Sequence, residues 1–139
     1  MVGVHVALFT LPLVEAWLRP PSRPRWAWGG VLAAASGMRV WSIRSLGEAW
    51  NVRAVVPADL EPAVSGPYRY IRHPNYLAVI LEFAALPLLA GAWRSAVVLS
   101  LANGAVLFDR IREEERLLDR SPAYRRAFDG RARFIPRVF

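Results

Sequence analysis

The sequence predicts an all-α protein, an integral membrane bundle of about four transmembrane helices in a single domain over residues 1–139. The chain has 139 residues, which is the length of one domain. It is 55% hydrophobic, high for a soluble domain of this size. Its apolar residues form four long runs with almost no polar face, whereas the helices of a soluble bundle would alternate apolar and polar faces. A soluble bundle of buried helices is the alternative.

The four apolar runs define the helices in chain order. Each has about 14 to 18 residues, at or below the ~20 that cross a bilayer. The third and fourth runs are separated by a short AGAWRS stretch, which predicts a tight antiparallel hairpin. After them, Ser121 and Pro122 predict the N-cap and first turn of a short basic amphipathic helix that ends at Gly130. The runs are Val2–Leu18, Trp26–Ile43, Tyr76–Trp93 and Ser95–Phe108.

The arginine distribution predicts the orientation of the bundle. All 18 basic residues are arginine. With both termini cytoplasmic, thirteen arginines lie inside and four outside, which fits the positive-inside rule. The basic loop between the first two runs opposes this assignment, and Arg39 within the second run is expected to snorkel inward. We therefore expect an integral plasma-membrane protein with both termini in the cytoplasm.

Composition also excludes several kinds of site. The chain has no cysteine, which excludes disulfides, thiolate catalysis and cysteine-ligated metals. Its two histidines are far apart, and no metal site is predicted. A net charge of +7 suits either nucleic acid or an anionic membrane surface. The apolar runs favour the membrane, so no nucleic-acid partner is predicted. The sequence does not fix the oligomeric state.

Two polar stretches flank the hairpin at its cytoplasmic end. GPYRYIRHPNY precedes the third helix, and RIREEERLL follows the fourth, so antiparallel packing brings them together. Asn75 and Glu82 share one face of the third helix, while Asn103, Arg110 and Glu114 share a stripe of the fourth. We expect these stripes to face each other around a polar pocket. The alternative is a hydrogen-bond network that only joins two helices.

The spacing of these polar residues resembles a known family. Arg72-His73-Pro74-Asn75-Tyr76, followed by Glu114-Glu115-Arg116-Leu117-Leu118, resembles the RHPxY…EExxL signature of the isoprenylcysteine carboxyl methyltransferase and phospholipid methyltransferase superfamily. These are membrane enzymes that use S-adenosylmethionine. The resemblance covers residues 46–136 and is greatest to a bacterial branch that includes alkylresorcinol and alkylpyrone O-methyltransferases. One departure is Ala78, where many members have glycine.

The resemblance implies where the cofactor binds. Pro74 would begin a helix whose free first-turn N–H groups and dipole attract the cofactor carboxylate, with help from Arg72 and His73. The two glutamates suit its ammonium group or ribose hydroxyls. Tyrosines offer aromatic faces for adenine or the sulfonium, or anchor the protein at the membrane interface. The residues predicted to bind the cofactor are Tyr70, Arg72, His73, Pro74, Asn75, Tyr76, Glu114 and Glu115.

The remaining predicted site residues serve the acceptor. Methyl transfer is a single in-line displacement, so orientation and charge placement should dominate catalysis. Arg110 is predicted to hold a carboxylate or stabilise a phenolate, and Glu82 or His73 to accept a phenol proton. A carboxylate acceptor would need no base. The residues predicted to contact the acceptor are Trp50, Asn51, Arg53 and Asn103.

The predicted function is methyl transfer from S-adenosylmethionine to a lipophilic acceptor in the membrane. O-methylation of an alkylresorcinol or alkylpyrone is favoured, with isoprenylcysteine carboxyl or phospholipid N-methylation as alternatives. Two hypotheses from other functional classes are an NADPH-dependent membrane reductase that shares the RHPNY motif and a non-catalytic membrane scaffold. The C-terminal RARFIPRVF is expected to lie on anionic lipid and to cover the cofactor, or else to be a solvated tail.

Overall fold

The computed structural model describes residues 2–19, 25–47 and 62–135, and all regular structure within these ranges is helical. A short 3-10 turn, Gly66–Arg69, precedes the third long helix. The all-α prediction is confirmed, and the first helix has the bounds that its apolar run predicted. The α-helices are α1 (Val2–Leu18), α2 (Trp26–Leu46), α3 (Pro74–Leu89), α4 (Trp93–Leu118) and α5 (Pro122–Phe128).

The prediction of about four transmembrane helices is not confirmed. Within the described ranges, none of the helices combines the length and the apolar character needed to cross a bilayer. α1 and α3 have only 17 and 16 residues, and the longer α2 and α4 carry more polar side chains.

Local sequence signals set the helix ends. Pro74 is the first residue of α3, where its missing N–H has no intrahelical acceptor to lose. The predicted cap of α5 is confirmed, because the Ser121 hydroxyl accepts a hydrogen bond from the Tyr124 N–H at 3.3 Å. Gly130 follows the helix with a φ of 67°, a conformation that glycine adopts without strain.

α3 packs against both α2 and α4, and α1 packs mainly against α4. Phe83 of α3 is only 1% exposed and lies at the centre of the main core. Burying such a side chain stabilises the fold by about 1.5–3 kcal/mol. A second cluster places α5 against the 3-10 turn through Tyr68, Tyr124 and Phe128. The main core comprises Leu8, Tyr76, Val79, Phe83, Leu99, Leu107 and Ile111.

Glu15 of α1 caps the beginning of α4. Its carboxylate accepts hydrogen bonds from the N–H groups of Arg94 and Ser95 at 3.2 and 2.7 Å, and from the Ser95 hydroxyl. A carboxylate at this position satisfies donors that the helix cannot satisfy itself and interacts favourably with the helix dipole. α1 is therefore bound to the end of the α3–α4 hairpin opposite the RHPNY stretch.

Gly66 allows the 3-10 turn to lie close against the end of α2. Its φ is 57°, and a Cβ at this position would lie 2.1 Å from the Ser45 hydroxyl oxygen. Only glycine satisfies both the backbone conformation and the close approach. This contact fixes the path of the chain into Tyr68 and the beginning of α3.

Candidate functional site

The α3–α4 hairpin brings the two polar motifs into contact, as predicted. The His73 Nε2 atom lies 3.2 Å from Glu115 Oε1. Tyr76 donates a hydrogen bond from its hydroxyl to Glu114 Oε2. Both pairs join the first residues of α3 to the last turns of α4, so residues far apart in the sequence form one cluster.

The Tyr76 hydroxyl connects a carboxylate to a guanidinium. Arg110 donates from Nε to the Tyr76 oxygen at 2.9 Å, and its guanidinium carbon lies 5.9 Å from the centre of the ring. Tyr76 is only 8% exposed, while Arg110 is half-buried. The predicted α4 stripe extends deeper with Asn103, which is 2% exposed. The site thus places a cation beside a phenol in the C-terminal half of α4.

Glu115 is held by two basic side chains. Arg133 donates from Nε and Nη2 to the two Glu115 oxygens, each at 2.8 Å, in a bidentate ion pair. His73 is 3% exposed, and its Nε2 lies 3.2 Å from the same Oε1 oxygen that accepts from Arg133 Nε. The hydrogen bond with His73, together with the bonds from Arg133, outweighs burial and lowers the pKa of Glu115 to about 2. Glu115 is therefore ionised at neutral pH.

Residues 131–134, here called the C-terminal strap, cross the beginning of α3. The main-chain N–H groups of Arg72 and His73 donate to the carbonyls of Ala132 and Arg133 at 2.9 and 3.0 Å. Side chains add two more bonds, from Arg72 Nε to the Arg131 carbonyl and from Arg131 Nη1 to the Tyr68 carbonyl, at 2.8 and 2.6 Å. The C-terminal segment therefore packs on the RHPNY stretch.

Arg133 was not among the predicted site residues. The signal in the sequence was the mixture of arginines and aromatic residues in RARFIPRVF, which predicted a covering segment without identifying which arginine makes the contact. The Phe134 ring also contributes, since its centre lies 6.1 Å from that of the His73 ring.

Asn75 carries a buried acceptor without a donor. Its Oδ1 atom has no hydrogen-bond partner among the residues that the structure describes. A buried polar atom left in this way costs about 1–3 kcal/mol, so a ligand that supplies the donor would recover that energy. Asn75 lies in the first turn of α3, next to Tyr76, which places this acceptor in the cluster predicted to bind the cofactor.

The predicted position of Glu82 is wrong, because its carboxylate faces α2 and not the polar stripe of α4. Arg39 donates from Nη1 to Glu82 Oε2 at 2.6 Å, and the Ser36 hydroxyl donates to Oε1 at 3.0 Å. Ser36 and Arg39 lie three residues apart on one face of α2, so α2 supplies both donors. Arg39 accordingly binds Glu82 of α3, and its predicted extension towards the cytoplasm is not observed.

The remaining predicted residues differ in their exposure and contacts. Tyr70 is 60% exposed, in contrast to the buried Tyr68 and Tyr76. Pro74 is buried at the beginning of α3, and Arg72 binds the C-terminal strap through its Nε atom. Ala78, at the position where many members of the resembling family have glycine, is completely buried. Trp50, Asn51 and Arg53 lie outside the described residues.

Comparison with known proteins gives two matches. Residues 28–120 match the model of the isoprenylcysteine carboxyl methyltransferase (ICMT) family. The chain is also 34% identical over 121 residues to the uncharacterized protein YpbQ of Bacillus subtilis (strain 168), an alignment that covers 85% of this chain and 71% of that protein. No solved structure matches the chain. The range matched by the family model includes α2, α3 and α4 and therefore both polar motifs.

Proposed function

Because this chain belongs to the isoprenylcysteine carboxyl methyltransferase family, we propose that it transfers a methyl group from S-adenosylmethionine to a lipophilic acceptor. One observation carries the proposal: the RHPNY residues at the beginning of α3 contact the paired glutamates of α4. His73 meets Glu115 and Tyr76 meets Glu114, so the two halves of the motif form one charged cluster at the end of the hairpin.

The residues present fit the groups of S-adenosylmethionine. The cofactor has an ammonium group, a carboxylate, a sulfonium and an adenosine. Asn75 Oδ1 is a buried acceptor without a donor in the described ranges, and it suits an N–H group of the cofactor. Glu114 offers a carboxylate for the ammonium. The first-turn N–H groups of Asn75 and Tyr76 have no intrahelical acceptors and suit the cofactor carboxylate.

The chemistry supplied by the bound cofactor is an electrophilic methyl group on its sulfonium. The protein then has to place the acceptor oxygen in line and stabilise its negative charge. Arg110 is suited to this role, because its guanidinium is a permanent cation whose Nε donates to the Tyr76 hydroxyl and so holds the charge beside the cluster. We assign Glu82 to the acceptor side of the site, at the contact between α2 and α3, where Ser36 and Arg39 orient its carboxylate.

The outer surface of the helices supports a lipophilic acceptor and contact with membrane lipid. Large apolar side chains remain exposed along α1 and α4, which is uncommon on a soluble protein when the residues are contiguous. Among acceptors, we favour the hydroxyl group of an alkylresorcinol or alkylpyrone, on the basis of the sequence resemblance. The most exposed of these side chains are Trp17, Leu101, Leu13, Leu18 and Phe9.

The test is binding and turnover with purified protein. Calorimetry should detect binding of S-adenosylmethionine and no binding of NADPH. Labelled methyl groups should then appear in an alkylresorcinol or alkylpyrone, identified by mass spectrometry after incubation with each class of lipid acceptor. Binding of NADPH without S-adenosylmethionine would overturn the proposal in favour of a reductase. Transfer to an isoprenylated carboxylate or a phospholipid amine would support the methyltransferase activity but show that the proposed acceptor is wrong.

A further inference from the structure

The two neighbouring glutamates of α4 have different partners. Arg133 occupies both oxygens of Glu115, and His73 shares one of them. Glu114 has a single bonded oxygen, Oε2, which accepts from Tyr76, and its Oε1 has no hydrogen bond within the described ranges. The family signature contains both residues, but of the two only Glu114 has an oxygen without a hydrogen bond within the described ranges.

Arg133 also forms the ion pair that joins the C-terminal strap to α4. Four other strap bonds connect it to residues 68–73, and the Arg131 N–H donates to the Phe128 carbonyl. The strap therefore reaches from the beginning of α3 to the end of α4 and passes the cluster that contains Asn75 and Tyr76. The side chain of Arg133 is 45% exposed, so dissolved salt can weaken its ion pair with Glu115.

We propose that Arg133 is a positioning residue for the cofactor site. By holding Glu115, it keeps the C-terminal strap across the beginning of α3 and leaves Glu114 as the carboxylate that receives the ammonium group of S-adenosylmethionine. Detachment of the strap then controls how fast the cofactor leaves. This inference rests on the proposed function, because it concerns the same cofactor site.

The experiment compares Arg133→Gln, Glu115→Gln and the double variant of the full chain. Arg112→Gln is the control, since it removes one arginine that is exposed and contacts Phe108 instead of Glu115. Two quantities are measured. The first is hydrogen exchange of the Arg72 and His73 amides without cofactor, because these amides are bonded to the strap. The second is the dissociation rate of labelled S-adenosylmethionine.

We expect both single variants to speed amide exchange and cofactor dissociation at least tenfold. The double variant should do no more than either one, since the two residues form one interaction. Arg112→Gln should change both rates less than twofold. Glu114→Gln should weaken cofactor binding at least tenfold and leave the exchange of the two amides unchanged. If Arg133 had only a structural role, replacing it in a protein that still folds would not alter the cofactor dissociation rate.

Three outcomes would overturn the proposal. They are additive effects of the two single variants, cofactor dissociation that is unchanged while the amides exchange faster, and loss of the amide protection with Glu114→Gln. If Arg133→Gln does not fold, the wild-type protein in increasing sodium chloride decides: both rates should rise together, and salt-independent rates contradict the idea. Failure of the wild-type protein to bind S-adenosylmethionine would refute the proposed function, whereas the exchange measurement would still decide whether Arg133 holds the strap.

Discussion

His73 and Glu115 lie in hydrogen-bond contact, with Nε2 and Oε1 3.2 Å apart, although 42 residues separate them in the sequence. The neighbouring contact of Tyr76 with Glu114 uses the same two helix ends. Together the contacts set the register of α3 against α4. A change that shifts either helix by one residue would turn one member of each pair away from the other.

The first prediction concerns Glu114. Glu114→Gln should weaken S-adenosylmethionine binding more than tenfold, or about 1.4 kcal/mol, because the neutral amide cannot pair with the ammonium group. Isothermal titration calorimetry gives the dissociation constant. Glu113→Gln is the matched control, since Glu113 is exposed and forms an ion pair with Arg116 along the same helix. Equal affinity of the Glu114 and Glu113 variants would remove Glu114 from the cofactor site.

The second prediction concerns Arg110. Arg110→Lys keeps the charge but loses the planar guanidinium that donates to Tyr76. Turnover should fall about tenfold or more, while the affinity for S-adenosylmethionine changes less than threefold. Steady-state kinetics combined with calorimetry separates the two effects. Normal turnover in a folded Arg110→Lys protein would show that the planar guanidinium of Arg110 is not required for the reaction.

The third prediction concerns Gly66. Gly66→Ala should destabilise the fold by about 1–3 kcal/mol, because the residue has a φ of 57° and the new methyl group would overlap Ser45. Gly37→Ala is the control with the opposite sign. Gly37 lies within α2 with open space around it, so alanine there should stabilise the helix by about 0.5–1 kcal/mol. Urea unfolding of both variants gives the two free energies, and a stable Gly66→Ala protein would contradict the described turn.

The fourth prediction concerns acid. Glu115 has its pKa lowered to about 2 in the folded protein, from 4.5, chiefly by His73 and then Arg133. Its contribution is therefore complete above pH 4.5 and is lost as the pH falls towards 2. After screening by solvent, the loss should be about 1–2 kcal/mol. The unfolding free energy of the wild-type protein should fall more steeply between pH 5 and about 2.5 than that of Glu115→Gln. Parallel curves for the two proteins would refute this role.

The fifth prediction concerns Glu82. Glu82→Gln weakens the contact with Arg39 and Ser36, so it should lower stability and change acceptor kinetics without altering S-adenosylmethionine affinity. A double-mutant cycle with Arg39→Gln should give a coupling free energy of about 1 kcal/mol. Turnover rates with acceptors of different hydroxyl pKa test whether Glu82 acts as a general base. If Glu82→Gln abolishes cofactor binding, the assignment of Glu82 to the acceptor side is wrong.

Features that depend on neighbouring residues could be predicted from the sequence. Pro74 begins α3, Ser121 caps α5, and the short connection between the third and fourth runs places the glutamates beside RHPNY. Each depends on local backbone chemistry or on a helix face, which residue spacing specifies. The family was predicted from the resemblance of the RHPNY and EERLL motifs to its signature, and the all-α fold from the four apolar runs.

The sequence did not predict which of two neighbouring helices a given side chain contacts. Spacing places Glu82 on a face of α3, but it does not say whether α2 or α4 lies against that face. Arg133 lies in a segment without helical periodicity, so nothing in its spacing identifies Glu115 as its partner. The apolar composition also predicted membrane-spanning helices, but composition does not specify where each helix ends. None of the helices in the described ranges is long and apolar enough to cross a bilayer.

The path of the C-terminal strap has a consequence for synthesis of the protein on the ribosome. His73 and Tyr76 are synthesised before Glu114 and Glu115, and the strap with Arg133 is synthesised after all four. A growing chain that has completed α3 and even α4 therefore holds the polar residues of both motifs without the bonds from Arg133. On the proposed function, we expect nascent chains that end before Arg131 to retain S-adenosylmethionine poorly.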